Sequence, residues 1–348
     1  MNTTVTQMRL HAQELTQPQS PSVKDLAQRM GIIQAQDYNM AKWAVGIRLK
    51  VGNDVIEEAF RRGEILRTHL MRPTWHFVSP HNLRWMRPIS ASSIIASMRS
   101  RDRDLELDNE TYLQALRIIE DALTRSRRHL SRDELSDAIN SCGIVTGYSR
   151  MIHFLMRAEA EGIVCSGAPN GKTQTYAIFD ERVPSSSPVY PRDEALRRLA
   201  GIYFNSHGPA TLRDFAWWSG LSLTDVRRAV ADAELHTETI GLVEYVAAGC
   251  NCQDAAAGIR LLPAFDEYII AYADRSAALP SLHYSRAISS NGVFRPVIIE
   301  NGCVKGLWKK AAARNKQLRI ITSLFPGIGI DDESEMQRAV EQCAAFFN

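Results

Sequence analysis

The stretch that decides the fold reads SRDELSDAINSCGIVTGYSRMIHFLMRAEAEGIVCSGAPNGKTQTYAIF and covers residues 131–179. Ser131 is followed three positions later by Glu134, the capping-box spacing that begins a helix, and an amphipathic helix is predicted on either side of this one, the first over residues 112–123. Two short apolar runs then flank Asn170-Gly171, a dipeptide typical of tight β-hairpin turns. Three helices followed by a hairpin are the element order of a winged helix, a helix-turn-helix variant.

The same pattern recurs along the chain. Residues 189–250 repeat it after a Ser/Pro-rich linker, and the N-terminal part carries a looser copy. Beyond residue 256, Asn301-Gly302 lies between two apolar runs and predicts a second hairpin. We therefore predict an α+β fold, mainly α, built from tandem winged-helix units and a β-rich C-terminal module. The predicted boundaries are 1–105 for a winged-helix-like unit, 106–183 and 189–250 for two further winged helices, and 256–348 for a β-containing module with a terminal helix.

Composition narrows the class of protein. With 348 residues, 45% hydrophobic and 23% charged, the chain is long enough for two or three domains and is not typical of disordered proteins. It has no apolar run near the roughly 18 residues that a membrane helix needs, and it begins without the pattern of a signal peptide. We expect a cytoplasmic protein, associated with the nucleoid when bound to DNA. Six cysteines, with Cys250-x-Cys252 as the tightest spacing, match neither a zinc site nor a disulfide framework, so we expect no metal and no cofactor.

Charge is unevenly distributed along the chain. The formal net charge is only +2, but residues 42–101 contain eleven basic and four acidic residues, and residues 303–319 contain six basic and no acidic ones. Such segregation indicates a polyanionic partner, although runs of charge are often no more than solvated faces.

Two local patterns admit more than one interpretation. Gly171-Lys172-Thr173 looks like the end of a phosphate-binding loop, but Ser166 stands where that motif needs a glycine, so we set this interpretation aside. Asp266 lies among apolar residues, where a carboxyl group can have a raised pKa and act as an acid or base. Such a residue more often caps a turn or pairs with an arginine, and both interpretations stay open.

Gln34-Ala35-Gln36 is a weak motif alone, but it is part of an ordered set. It lies in GIIQAQDYNMAKWAVGIR at residues 31–48 and is followed by LRTHLMRPTWHFV at 66–78, LLPAFD at 261–266 and NGVFRPVIIENGCVKGLW at 291–308. This set resembles the AlkZ/YcaQ-like family of winged-helix proteins, which includes DNA glycosylases that unhook interstrand crosslinks. The resemblance runs over residues 28–308.

The resemblance implies tandem winged helices that form a C-shaped clamp around duplex DNA, a β-rich C-terminal domain, and a functional Gln-x-Gln motif at Gln34 and Gln36. Pro73 follows Arg72 where glycine is more usual in the family, which leaves the substrate open. A purine alkylated at a ring nitrogen is already cationic, so it leaves without an acid. The enzyme must orient a water and stabilise positive charge on the sugar, and amide carbonyls can do both.

We therefore predict Gln34 and Gln36 as the catalytic pair, with Asp37 as possible support, although in an extended chain Asp37 would point to the opposite face. On a helix the two glutamines would lie roughly 200° apart, so we expect a non-helical segment. Trp43, Trp75 and His76 have a plainer interpretation as core and hairpin packing, which is favoured for Trp43 and stays open beside DNA binding for His76. The candidate DNA-binding residues are Arg48, Arg67, His69, Arg72, His76, Lys305, Lys309 and Lys310.

The predicted function is that of a monofunctional DNA glycosylase, a hydrolase that releases N-alkylated purines from duplex DNA, with crosslinked purines as an open further substrate. The alternative is a non-catalytic winged-helix DNA-binding protein, such as a transcriptional regulator, and a third reading is a protein–protein scaffold. Regulators usually bind as two-fold dimers. Because the chain carries several winged units and no long dimerisation heptad, we expect a monomer.

Overall fold

The computed structural model describes residues 3–231, 233, 235–247, 258–312 and 318–348. Helices make up about 51% of it, which confirms a mainly helical protein with some β-structure. The predictions made on Cys250-x-Cys252 lie outside the described residues. Among the described residues, no helix is long and apolar enough to cross a membrane.

The first elements in chain order are α1 (Thr3–Ala12), α2 (Val23–Met30), β1 (Ile33–Gln34), α3 (Tyr38–Leu49), α4 (Asn53–Arg62), β2 (Leu66–Leu70), β3 (Arg72–Val78), α5 (Pro80–Asp104), α6 (Asn109–Ser126), β4 (Leu130–Ser131), α7 (Arg132–Ser141), α8 (Arg150–Glu161), β5 (Val164–Ser166), β6 (Thr175–Ile178) and α9 (Phe179–Arg182). The chain continues with α10 (Arg192–His207), α11 (Leu212–Ser219), α12 (Leu223–Ala231), β7 (His236–Ile240), β8 (Val243–Ala247), β9 (Ile259–Leu262), α13 (Glu267–Ile270), a 3₁₀ turn (Ser281–His283), α14 (Tyr284–Ala287), β10 (Val297–Glu300), β11 (Cys303–Ala312), β12 (Leu318–Leu324) and α15 (Glu333–Phe347).

Contacts between residues divide the chain into two compact units. Unit 1 combines Met1–Ile56 with Leu196–Asn348, and unit 2 is the continuous segment Glu57–Ala195. Unit 1 is therefore discontinuous in sequence. The division into four segments made from the sequence stays a prediction.

Unit 2 has the predicted order of three helices followed by a hairpin, in α6, α7, α8, β5 and β6. Ser131 and Glu134 form the expected reciprocal capping box at the start of α7. β6 pairs antiparallel with β5 and with the short β4, and Asn170 bridges to Thr173 at the predicted turn. The core of this unit is formed by apolar side chains from α5 to α8, such as Leu116 and Phe154.

Helix α8, the third helix of this segment, is largely internal. Besides its apolar residues, it buries Glu159, and His153 contacts Asp102 of α5 through an Nδ1–Oδ1 distance of 2.6 Å. The polar side chains of α8 are therefore used within unit 2.

Unit 1 contains the second segment with this order, in α10, α11, α12, β7 and β8. Thr211 and Asp214 form a capping box at the start of α11, and β7 pairs antiparallel with β8. In contrast to α8, helix α12 buries Val226 and Ala229 while Arg227 and Arg228 are exposed.

The C-terminal part of unit 1 is an antiparallel sheet with the strand order β12-β11-β10-β9. Its β10–β11 hairpin turns at the predicted dipeptide, where Asn301 and Gly302 have φ angles of 52° and 80°. Helix α15 packs against this sheet and against α3, and the Phe346 ring lies with its centroid 5.0 Å from that of Trp43. The sheet and α15 thus form the support of α3, the helix that follows the Gln-x-Gln motif.

Candidate active site

The Gln-x-Gln motif lies in non-helical backbone, as predicted. Gln34 is the second residue of β1, Gln36 lies in a bend, and α3 begins only at Tyr38. The two glutamines differ in their surroundings, since Gln34 is 4% exposed and Gln36 is exposed. One amide residue therefore belongs to the interior of unit 1 and the other to its surface.

Asp37 has a clear local function. Its carboxylate accepts a hydrogen bond from the Met40 backbone N–H at 3.0 Å and so caps the N-terminus of α3. A negative side chain at this position also offsets the positive end of the helix dipole. The cap fixes the point at which the extended motif becomes a helix, and a catalytic contribution of Asp37 stays a prediction.

Glu267 is a functional candidate that the sequence did not reveal. Its side chain is almost fully buried, and Oε1 accepts a hydrogen bond from the Gln34 backbone N–H at 2.6 Å. Oε2 accepts one from Trp218 Nε1 at 3.2 Å. The only signal in the sequence is a second carboxylate, next to Asp266, in an apolar segment.

Arg48 and Asp266 form a buried ion pair. Arg48 Nη1 and Nη2 each lie 2.9 Å from one oxygen of Asp266, and neither side chain is exposed. Burial lowers the pKa of Arg48, but the carboxylates of Asp266, Glu267 and Glu14 together outweigh this effect and leave the pKa raised. Asp266 also caps α13 by accepting from the Tyr268 N–H. The structure thus confirms the pairing and capping interpretation of Asp266. It corrects the assignment of Arg48 as a DNA contact, because its guanidinium lies inside unit 1.

Trp43 provides a third connection to the same segment. Its Nε1 donates to the Leu261 carbonyl at 2.7 Å, and its ring is buried against α15, which confirms the core interpretation. Gly46 lies so close to Phe346 that a side chain at this position would collide with the ring. Residues 261–267 therefore hold the motif segment at Gln34, Trp43 and Arg48.

His69, on β2 of unit 2, is internal and not available to DNA. Its Nδ1 lies 2.6 Å from Oε2 of Glu159, and the same oxygen accepts from the His69 backbone N–H at 3.0 Å. Its ring packs on Trp75 with a centroid distance of 3.9 Å. The prediction that His69 contacts DNA is therefore corrected.

His76, on β3, is also corrected as a DNA contact. It is fully buried, and its Nδ1–H donates to the Thr74 carbonyl at 2.9 Å. Burial, followed by the charge of Arg72, lowers the pKa of His76 well below its usual value. A neutral, buried imidazole has no role in phosphate binding.

The remaining basic candidates are at least partly exposed. Arg67 and Arg72 are half-buried, and the Arg67 guanidinium lies 4.4 Å from the centre of the Trp75 ring. In unit 1, Lys309 is exposed. Its neighbours are less free, because Lys305 pairs with Glu300 at 3.0 Å and Lys310 lies over the ring of Phe347 at 4.2 Å.

The candidates fall into two groups. Unit 1 holds Gln34, Gln36, Asp37 and the lysines of β11, and unit 2 holds the arginines of the β2–β3 hairpin. Among the described residues, no cluster of three or more His, Cys, Asp or Glu side chains could hold a metal ion.

Comparison with known protein families places this chain in the class of DNA glycosylases, which are hydrolases. Residues 27–346 match the family described as DNA glycosylase AlkZ-like, and the chain belongs to this family. The resemblance predicted from the sequence is confirmed.

One curated relative and one solved structure come from the same organism. The interstrand DNA cross-link repair glycosylase of Streptomyces sahachiroi is 23% identical over 368 aligned positions, which cover 97% of this chain and 93% of the relative. The structure of Streptomyces sahachiroi DNA glycosylase AlkZ superposes with a TM-score of 0.82 at 20% identity, covering 99% of this chain and 96% of that one. The two proteins share a fold over their whole length.

Proposed function

We propose that this glycosylase hydrolyses the N-glycosidic bond of N-alkylated purines in duplex DNA, crosslinked purines included, with a water oriented by Gln34 and Gln36. Membership in the AlkZ-like family supports the reaction, and the name of the Streptomyces relative supports crosslinked DNA as a substrate. The site assignment rests on one observation. The two glutamines lie in non-helical backbone just before α3, with Gln34 buried and Gln36 exposed.

The chemistry fits amide side chains. The oxygen of a water attacks the anomeric carbon, and the electrons of the glycosidic bond move to the purine and neutralise its positive charge. The water loses a proton to solvent. Gln36 is exposed, and we place it against the substrate, whereas the almost fully buried Gln34 orients the same water from the inner side of the motif. Oriented carbonyl dipoles then stabilise the positive charge that develops on the sugar.

Duplex DNA is proposed to bind through Arg67 and Arg72, whose side chains are half-buried, and through the exposed Lys309. We also propose that the two helix–helix–helix–hairpin segments are winged helices with different uses. Helix α12 presents Arg227 and Arg228 outward and is suited to a phosphate contact. Helix α8 is largely internal and has a structural role in the core of unit 2. A monomer is proposed as the acting species.

The test is base release under single-turnover conditions. Duplexes that carry one 7-methylguanine, or one purine crosslink, are incubated with excess enzyme, and abasic sites are scored by alkaline cleavage. Loss of one oriented dipole costs about 3 kcal/mol, so Q34A and Q36A should each slow release about a hundredfold. Affinity for undamaged duplex should be unchanged. Q114A, on the exposed face of α6, is the matched control. Full activity of Q34A/Q36A would overturn the proposal.

A further inference from the structure

We propose that Glu267 is a positioning residue for the reaction, one that sets the backbone of Gln34 through a carboxylate with two hydrogen-bond donors. The inference rests on the proposed function, because it assigns Glu267 a role only through Gln34. It concerns an interior group of unit 1 and not a group that touches DNA.

The geometry uses each oxygen of the carboxylate once. Oε1 takes the Gln34 N–H at 2.6 Å, and Oε2 takes Trp218 Nε1–H at 3.2 Å. Glu267 is 1% exposed, so water does not compete for either oxygen. Hydrogen bonds to an ionised acceptor are shorter and about twice as strong as neutral ones, which fits the short contact to Gln34.

The contact acts on the motif because the peptide unit is rigid. Fixing the Gln34 nitrogen fixes the plane that joins Ile33 to Gln34 and the direction in which the Gln34 side chain leaves the backbone. Gln36 follows two residues later and is held on its other side by the Asp37 cap. Displacements of about 1 Å at a reacting centre cost about a hundredfold in rate. Glu267 and Asp37 are thus the two fixed points around the motif.

A carboxylate is required here because both neighbours donate. In E267Q only one side-chain oxygen remains, so the amide NH₂ of the new side chain would face either the Gln34 N–H or the Trp218 Nε1–H. Two donors then oppose each other in a buried site. E267Q is therefore expected to displace the Gln34 backbone even though its volume is nearly unchanged.

His207 offers a way to repair this mismatch. Ser206 Oγ donates to the Ile202 carbonyl at 2.7 Å, so it accepts from Nδ1–H of His207, also at 2.7 Å. His207 Nε2 is then an acceptor, 3.4 Å from Oε2 of Glu267. Burial lowers the pKa of His207, which keeps this ring neutral. In W218F/E267Q the opposing indole donor is gone, and the amide NH₂ can donate to His207 while its oxygen accepts from Gln34.

The experiment compares E267Q, W218F and W218F/E267Q in single-turnover base release from a 7-methylguanine duplex, with affinity for undamaged duplex and the thermal midpoint measured for each. E267Q should lose about 10- to 100-fold in rate with unchanged affinity. W218F should stay within about threefold of the unsubstituted enzyme, and W218F/E267Q should return to within about threefold of W218F. A role confined to folding would not produce this rescue, because removing a second buried hydrogen bond would only lower stability further.

Combination with Q34A separates the two proposals. In the Q34A background, E267Q should add less than about a threefold loss, because both act through the same residue. An unchanged rate for E267Q, or an equal loss with and without Gln34, would overturn the positioning role while leaving Gln34 catalytic. Full activity of Q34A/Q36A would instead overturn the proposed function. If E267Q does not fold, the double variant W218F/E267Q tests the positioning role. The proposal requires that this variant folds and releases base at the W218F rate, and it is overturned if either fails.

Discussion

Arg48 in unit 1 and His69 in unit 2 come from the same basic stretch of sequence, and both lie inside the protein against a carboxylate. Arg48 meets Asp266 through two contacts of 2.9 Å, whereas His69 meets Glu159 through a single side-chain contact of 2.6 Å. The first pair joins α3 to α13 across 218 residues, and the second joins β2 to α8 across 90.

The difference lies in what each basic side chain needs when it is buried. A guanidinium keeps its charge in all conditions, so its burial demands a full carboxylate partner, and Gln13 and the Ala44 carbonyl add further acceptors. An imidazole can give up its proton and also packs as an aromatic ring, as His69 does on Trp75. Basic residues near aromatic ones in the sequence are therefore poor indicators of a DNA-binding surface, and the two pairs should respond differently to substitution.

The largest loss of unfolding free energy is expected from D266N, which leaves the buried Arg48 guanidinium without its ion-pair partner. Breaking a buried pair on one side costs about 3–5 kcal/mol, and urea denaturation should show a loss of this size. The double variant R48M/D266N should be less destabilised than D266N, since it removes the unpaired charge. A loss below about 1 kcal/mol for D266N would mean that the pair contributes little.

A smaller loss of unfolding free energy is expected from E159A in unit 2. It removes the acceptor of the His69 N–H and of Nδ1, and an unsatisfied buried donor costs about 1–3 kcal/mol. The same denaturation experiment measures it. An E159A loss equal to that of D266N would contradict the distinction between the buried guanidinium and the buried imidazole. E161A, two residues further on the exposed side of α8, is the control.

His76 should give unit 2 a stability that depends on pH. Its pKa is lowered in the folded protein by burial and by Arg72, so the unfolded chain binds the proton first as the pH falls below about 6.5. The stabilisation is therefore complete above that pH and decreases below it. H76Q lacks this titration, so the difference in unfolding free energy between wild type and H76Q should shrink from pH 7.5 to 5. Unfolding free energies of wild type and H76Q that change in parallel with pH would contradict this role of His76.

The smallest effects are expected at the two capping boxes, one in each unit. S131A and T211A each remove a side-chain acceptor at a helix start and should cost about 1 kcal/mol in thermal or urea unfolding. Ser149 precedes α8 but makes no capping hydrogen bond, so S149A should stay within about 0.5 kcal/mol. An S149A loss as large as that of S131A would show that the cost does not come from the cap.

The sequence predicts what local chemistry determines. The capping box at Ser131, the turns at Asn170-Gly171 and Asn301-Gly302, and the non-helical motif all depend on residues a few positions apart, and all are present. Which carboxylate meets Arg48 or the Gln34 N–H depends on partners more than 200 residues away, and nothing local specifies them. The discontinuity of unit 1 and the unequal burial of the two glutamines were missed for the same reason.

That discontinuity has a consequence for the newly made chain. Gln34 leaves the ribosome 233 residues before Glu267, which at about 5–20 residues per second is a wait of about 10–50 s. During that time the continuous unit 2 is synthesised in full, while residues 1–56 still lack their partners Asp266, Glu267 and Phe346. The motif is thus assembled late in synthesis, and translation that stops within unit 2 yields a chain in which the glutamines and the Asp37 cap are present but Glu267 is missing.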